Sequence, residues 1–157
     1  MALNLKSLLF VSLFIALVAA PIVEATFPIR LVRIQGTVFC TTNGTIVNGT
    51  APAPVFPLAL VRLRCGGVLT VATAITNLNG VFLGTGLFPI NYSLSTLLST
   101  CVLRVETPLS ICNSTLPSVG RLQAAIQFNG TILTGPFNLI NITIVSPAPL
   151  AFQLVAA

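Results

Sequence analysis

The sequence predicts an all-β fold: an antiparallel β-sandwich or barrel with one short helix, stapled by two disulfides. Three observations carry that prediction. Short stretches alternate apolar and polar residues with period two, turn-forming residues separate those stretches, and cysteines fall in phase with the apolar positions.

The elements follow in chain order. In "RLVRIQGTVFC", Val32, Ile34, Gly36, Val38 and Cys40 share one face, and Arg33, Gln35 and Thr37 share the other, which describes a half-buried strand. Residues 41–57, with "NGTIVNGT" and the proline-rich "APAPVFP", read as a long exposed loop. In "LVRLRC", Val61, Leu63 and Cys65 oppose Arg62 and Arg64, and "CGG" ends this second strand. "VLTVATAIT" is a third strand rich in β-branched residues. "NLNG" is a turn in which Asn79-Gly80 tolerates positive φ, and "VFLGTG" is a short fourth strand. "SLSTLLST" sets Leu94, Leu97 and Leu98 at helical spacing behind a Ser93 cap. In "CVLRVE", Cys101, Leu103 and Val105 oppose Arg104 and Glu106, and "TPLSIC" reads as an extended segment ending at Cys112. In each of the three cysteine-bearing strands the sulfur points to the core.

The ends differ from the middle. "SLLFVSLFIALVAAPIV" behind Lys6 has a positive start, an apolar centre and small residues at Val23-Glu24-Ala25. Residues 1–25 therefore read as a signal peptide cleaved after Ala25, with an uncleaved anchor as the alternative. No later stretch reaches the roughly 20 apolar residues of a spanning helix, so no transmembrane segment is expected in the mature chain. Residues 26–115 read as the disulfide-bonded β domain and 116–157 as an apolar C-terminal extension. Arg121 is the extension's one charged residue, and "FNGTILTG" and "FNLINITI" repeat a theme. These segments either close the sheet as further strands, form a loosely ordered surface-seeking tail, or belong to a lipid-anchor signal. Against the last stand Pro147, Pro149 and Gln153, which interrupt the terminal apolar run.

The chain is 55% hydrophobic and 6% charged, yet it holds six N-x-Ser/Thr sequons at Asn43, Asn48, Asn91, Asn113, Asn129 and Asn141. Export reconciles the two, because glycans then supply the solubility that charged side chains supply elsewhere. Export also makes Cys40, Cys65, Cys101 and Cys112 an even set that forms two disulfides; spacing alone allows three connectivities.

The composition excludes much chemistry. There is no His or Asp, and Glu106 is the sole carboxylate after the leader. A carboxylate pair for glycoside hydrolysis cannot be assembled, and a nucleophile would lack its base. Metal ligands are too few for a metal or cofactor site. No enzyme is expected. After the leader, six Arg oppose one Glu. Scattered Arg with one Tyr and no Trp suit nucleic acid poorly, whereas acidic polysaccharide or a microbial surface is the more natural extracellular partner. Arg62 and Arg64, two apart on one exposed face, form the best local pair, and the bland account of them is that they keep that strand face wet and protect an edge.

"IQGTVFC", "FPLALVRLRCGG", "ATAITNLNGVF" and "CVLRVETPLSICN", in this order around four cysteines, resemble phylloplanin-like proteins, a group similar to the larger olive-pollen-allergen and extensin family. The resemblance covers about residues 30–120. It implies a secreted plant protein on a β-sandwich or barrel scaffold, spread over the leaf surface and hindering oomycete and fungal spores. It also implies pairing of Cys40 with Cys112 and of Cys65 with Cys101. The extra cysteine pair common in the pollen allergens is absent. The leading expectation is a non-enzymatic surface-defence glycoprotein that meets a waxy cuticle, cell-wall polysaccharide or a microbial surface. Its contacts would be Leu139, Ile140, Ile142, Ile144, Leu150 and Phe152, assisted by Arg62 and Arg64. The alternative is a structural or polysaccharide-binding protein of the cell wall.

Overall fold

The structure, a computed structural model, describes residues 28–43, 52–149 and 152–156. Eight strands form it: β1 (Ile29–Thr37), β2 (Leu60–Cys65), β3 (Leu69–Ile75), β4 (Val81–Leu87), β5 (Cys101–Val105), β6 (Arg121–Thr134), β7 (Ile140–Pro147) and β8 (Gln153–Val155). One helix, α1 (Leu94–Thr100), precedes β5. The strand order is β3-β2-β5-β6-β7-β1-β4, with β8 beside β6. Every pairing is antiparallel except β1 with β7, which run parallel.

The long β6 makes one curved sheet out of two halves. Its first part pairs with β5 and β8 and its second part with β7; the register shifts between Phe128 and Gly130. Such a bulge bends a strand and sharpens its twist, as a closing sheet requires. The end strands β3 and β4 then come together. A Cβ at Gly84 would lie 2.5 Å from the Thr73 carbonyl oxygen, and one at Gly86 would collide with that of Val71. Only a residue without a side chain lets β4 lie this close to the β3 main chain. The result is a nearly closed barrel.

The alternation read from the sequence fills this barrel. Val32, Ile34, Val38, Val61, Leu63, Leu103, Val105, Leu122 and Val145 are buried in one core. Cys40, Cys65 and Cys101 are buried beside them. The disulfides are Cys40–Cys112 and Cys65–Cys101, the pairing that the family resemblance implies. The second bridge joins direct register partners on β2 and β5. Ser93 caps α1, its Oγ accepting from the Thr96 amide at 3.1 Å, and Leu97 enters the core. In the turn before β4, the Asn77 side chain accepts from the Asn79 and Val81 amides, while Gly80 takes φ +72°.

Two expectations are corrected. Residues 41–57 are not exposed throughout: Ala53 and Phe56 are buried. The Phe56 amide donates to the Val38 carbonyl at 2.9 Å, and Cys40 donates to Pro54 at 2.8 Å. Buried Thr76 locks the same corner, its Oγ1 donating to the Phe56 carbonyl at 2.6 Å and accepting from the Ala59 amide at 2.8 Å. "TPLSIC" is not extended: Leu109–Ile111 form a 3-10 turn that buries Leu109 and delivers Cys112 to its bridge. Within residues 116–157, β6 pairs with β5 and β7 with β1, so this segment contributes strands to the sheet. The expected leader, residues 1–25, lies outside the described residues.

Candidate functional site

With Val61, Leu63, Leu103, Val105, Leu122 and Ala124 turned inward, their neighbours on β2, β5 and β6 must face out. Four of those neighbours, Arg62, Arg64, Arg104 and Arg121, are basic. Register places Thr73, Arg62, Arg104, Gln123 and Gln153 side by side across β3, β2, β5, β6 and β8. Beside this row, the Glu106 carboxylate meets three guanidinium groups: Arg64 at 3.5 Å, Arg104 at 3.8 Å and Arg121 at 3.8 Å. One anion is thus shared among three cations, and Arg62 stands directly opposite Arg104. Like charges directly across a sheet oppose pairing. At these distances and partial exposures the ion pairs stabilise the fold only modestly.

The other half of the barrel carries the opposite chemistry. Leu31 lies between Leu87 of β4 and Ile142 of β7, and Ile142 lies beside Ile132 of β6. Ile29 pairs with Ile140. Leu83 is 63% exposed and Leu87 72%, with Ile29 and Ile132 also exposed. At the end where β1 begins and β4 ends, Ile90 is 95% exposed, and Phe137, in the connection between β6 and β7, is 93% exposed. A shallow cleft there is lined by Pro28, Ile29, Arg30, Leu87, Phe88 and Ile90. The Arg30 guanidinium lies 4.1 Å above the Phe88 ring, a cation–π contact that covers part of its charge.

The structure brings Arg62 and Arg64 together on the outer face and adds Arg104 and Arg121, which the sequence reading did not join to them. Of the expected apolar contacts, Leu139, Ile140 and Ile144 are half-buried. Ile142 and Phe152 are buried, and Phe152 belongs to the core, so neither offers a surface contact. Phe152 is carried inward because β8 folds back onto β6, and Ile142 is flanked in register by Leu31 of β1 and Ile132 of β6. Leu150 and Asn48 lie outside the described residues. Asn43, Asn91, Asn113 and Asn129 are exposed, whereas Asn141 is half-buried on β7. The sequence reading missed the exposed apolar groups Leu83, Leu87, Ile90 and Phe137. A signal was available in β4, where Val81, Leu83 and Leu87 alternate with Phe82 and two glycines, so both faces lack charge.

Among the described residues no group of three or more His, Cys, Asp or Glu could hold a metal ion, and no helix is long and apolar enough to cross a membrane. What the arrangement offers is a surface with four arginines gathered on β2, β5 and β6 and large apolar side chains exposed mainly on β1, β4 and the β6–β7 end, with Arg33 among the latter and Leu69 and Ile75 of β3 beside the former. No solved structure matches the chain. The family model described as phylloplanin antifungal protein matches residues 28–156. A phylloplanin of Nicotiana tabacum is 40% identical over 147 residues, covering 90% of each chain. On this match and this relative, which span nearly the whole barrel, the chain belongs to the phylloplanin family.

Proposed function

We propose that this protein is a secreted glycoprotein of the plant surface that suppresses fungal and oomycete spores by physical rather than catalytic means. Family membership supports the antifungal role, since the matching family is described as antifungal. The observation that carries the mechanism is the exposed apolar half of the barrel, with Leu83, Leu87, Ile90 and Phe137 in the open on a disulfide-stapled scaffold. Large apolar side chains gathered in the open at one end of a protein mark a surface that meets something. Here the partner is an apolar one: the waxy cuticle on which the protein spreads, or the envelope of a microbe that lands there. Catalysis is not needed for such an amphiphile, and Glu106, the one carboxylate beyond the leader, is held among three arginines.

The test is germination of fungal and oomycete spores in the presence of purified, oxidised, glycosylated protein. Suppression is expected, and it should persist at an ionic strength of about 0.15 M, where exposed charge–charge attraction is screened beyond about 8 Å. No suppression, or suppression only in low salt, would overturn the proposal. Truncating residues 136–157 is the wrong control, because those residues include β7 and β8 and their removal opens the barrel.

A further inference from the structure

The arginine half of the barrel has no role in apolar adsorption, yet its layout is unusual. Four of the six arginines lie on neighbouring strands β2, β5 and β6 or at their ends. Glu106 is their only acidic neighbour among the described residues, and it contacts three of them. Arg62 takes part in none of those three ion pairs and faces Arg104 in register. A sheet that served only to keep a face wet would do better with alternating signs, since like charges directly opposite one another are destabilising. The arrangement makes sense if the missing negative charge comes from outside.

We infer that this face binds an acidic polysaccharide, a polymer carrying a carboxylate on successive sugars. The cations are spread across three strands spaced about 4.8 Å apart, so a small anion meets one or two of them and an extended polyanion meets several. Guanidinium forks match carboxylates in paired hydrogen bonds. Thr73, Gln123 and Gln153 continue the Arg62–Arg104 row on both sides and provide donors and acceptors suited to sugar hydroxyls. No aromatic side chain stands in this row to stack a nucleic-acid base. The row itself holds no large apolar side chain of the kind a membrane-surface element inserts, although Leu69 and Ile75 of β3 are exposed beside it, which is why the vesicles are measured in parallel. Of the six sequons only Asn129 falls on a strand of this face, on β6 at the Phe128–Gly130 register shift, six residues beyond Gln123.

The experiment titrates the complete secreted protein with de-esterified oligogalacturonate and follows binding calorimetrically. Methyl-esterified oligogalacturonate and vesicles containing phosphatidylserine are measured in parallel. The acidic oligomer should bind, the esterified one should not, and affinity should fall as salt rises towards about 0.15 M. The double variant Arg62→Gln/Arg104→Gln should lose affinity on the order of tenfold or more, while Arg33→Gln on the other half should leave it unchanged. If the double variant does not fold, Arg62→Gln alone carries the test. Glu106→Gln releases three guanidinium groups and should bind more tightly, whereas a purely structural role predicts no gain. Equal binding of esterified and acidic oligomers, preference for the vesicles, or undiminished affinity in the arginine variants would each overturn the inference. Spore suppression is scored separately, so a protein that suppresses spores and ignores oligogalacturonate defeats this proposal alone.

Discussion

Removing either disulfide should cost nearly the same stability, although one spans twice as much chain as the other. Cys40–Cys112 encloses 72 residues and Cys65–Cys101 encloses 36, nested within the first. In the chain-entropy account, a bridge acts mainly by restricting the unfolded chain. With the inner bridge closed, the outer one restricts only the remaining half of its span, so each contributes about 4 kcal/mol. With the outer bridge left alone, its whole span counts again, but a doubling of loop length adds only about 0.6 kcal/mol. The variants Cys40→Ala/Cys112→Ala and Cys65→Ala/Cys101→Ala should therefore fall below the parent by amounts within about 1 kcal/mol of each other. Removing both removes about 8 kcal/mol, which consumes most or all of the roughly 5–15 kcal/mol of a typical domain. Urea unfolding of the secreted variants, followed by far-ultraviolet circular dichroism, measures all three. A loss below about 1 kcal/mol for either single removal, or a fully reduced protein that unfolds cooperatively at the parent's midpoint, would refute the reasoning.

Other predictions rest on single sites. Thr76→Val leaves the buried Phe56 carbonyl and Ala59 amide without their hydroxyl partner and should cost about 2–5 kcal/mol in the same urea assay, whereas Thr76→Ser should retain much of it. Gly86→Ala drives a methyl group into the Val71 carbonyl and should abolish secretion of folded protein; Thr85→Ala, next to it on the exposed face, should change stability by no more than about 0.5 kcal/mol. Glycopeptide mapping by mass spectrometry should find Asn113 occupied, since it is exposed and its side chain already accepts from the Thr115 amide and hydroxyl of its own sequon. Half-buried Asn141, fixed in β7 between β1 and β6, should be bare.

The parts of the fold that could be read in advance are those where one strand face is apolar and the other charged. Around Cys40, Cys65 and Cys101 that contrast fixes which side is inward, and Arg62, Arg64 and Arg104 mark the outside. Period-two patterning works only when the outer face is polar. In β6 and β7 the outer positions include Ile132, Ile140 and Ile144, so the contrast fades and the tail stays open to several readings. The residues that obscured the strand pattern thus belong to the apolar half proposed to meet the cuticle. Phe56 escaped notice for a different reason. Its proline-rich neighbours signal a loop, while its burial depends on hydrogen bonds to Val38 and Thr76, far away in sequence. Likewise, alternation already puts Arg104 on the same face as Glu106, but only the strand order β2-β5-β6 brings Arg64 and Arg121 to that carboxylate.

The account stands or falls most directly on Leu83→Thr/Leu87→Thr, which makes the exposed face of β4 polar with a residue that favours strands. Adsorption to a wax–water interface and suppression of spore germination are measured together on the folded, oxidised variant. Both should drop in parallel while the urea midpoint stays close to that of the parent. Undiminished spore suppression by a variant that no longer adsorbs to wax and cannot coat the spore surface would contradict the account.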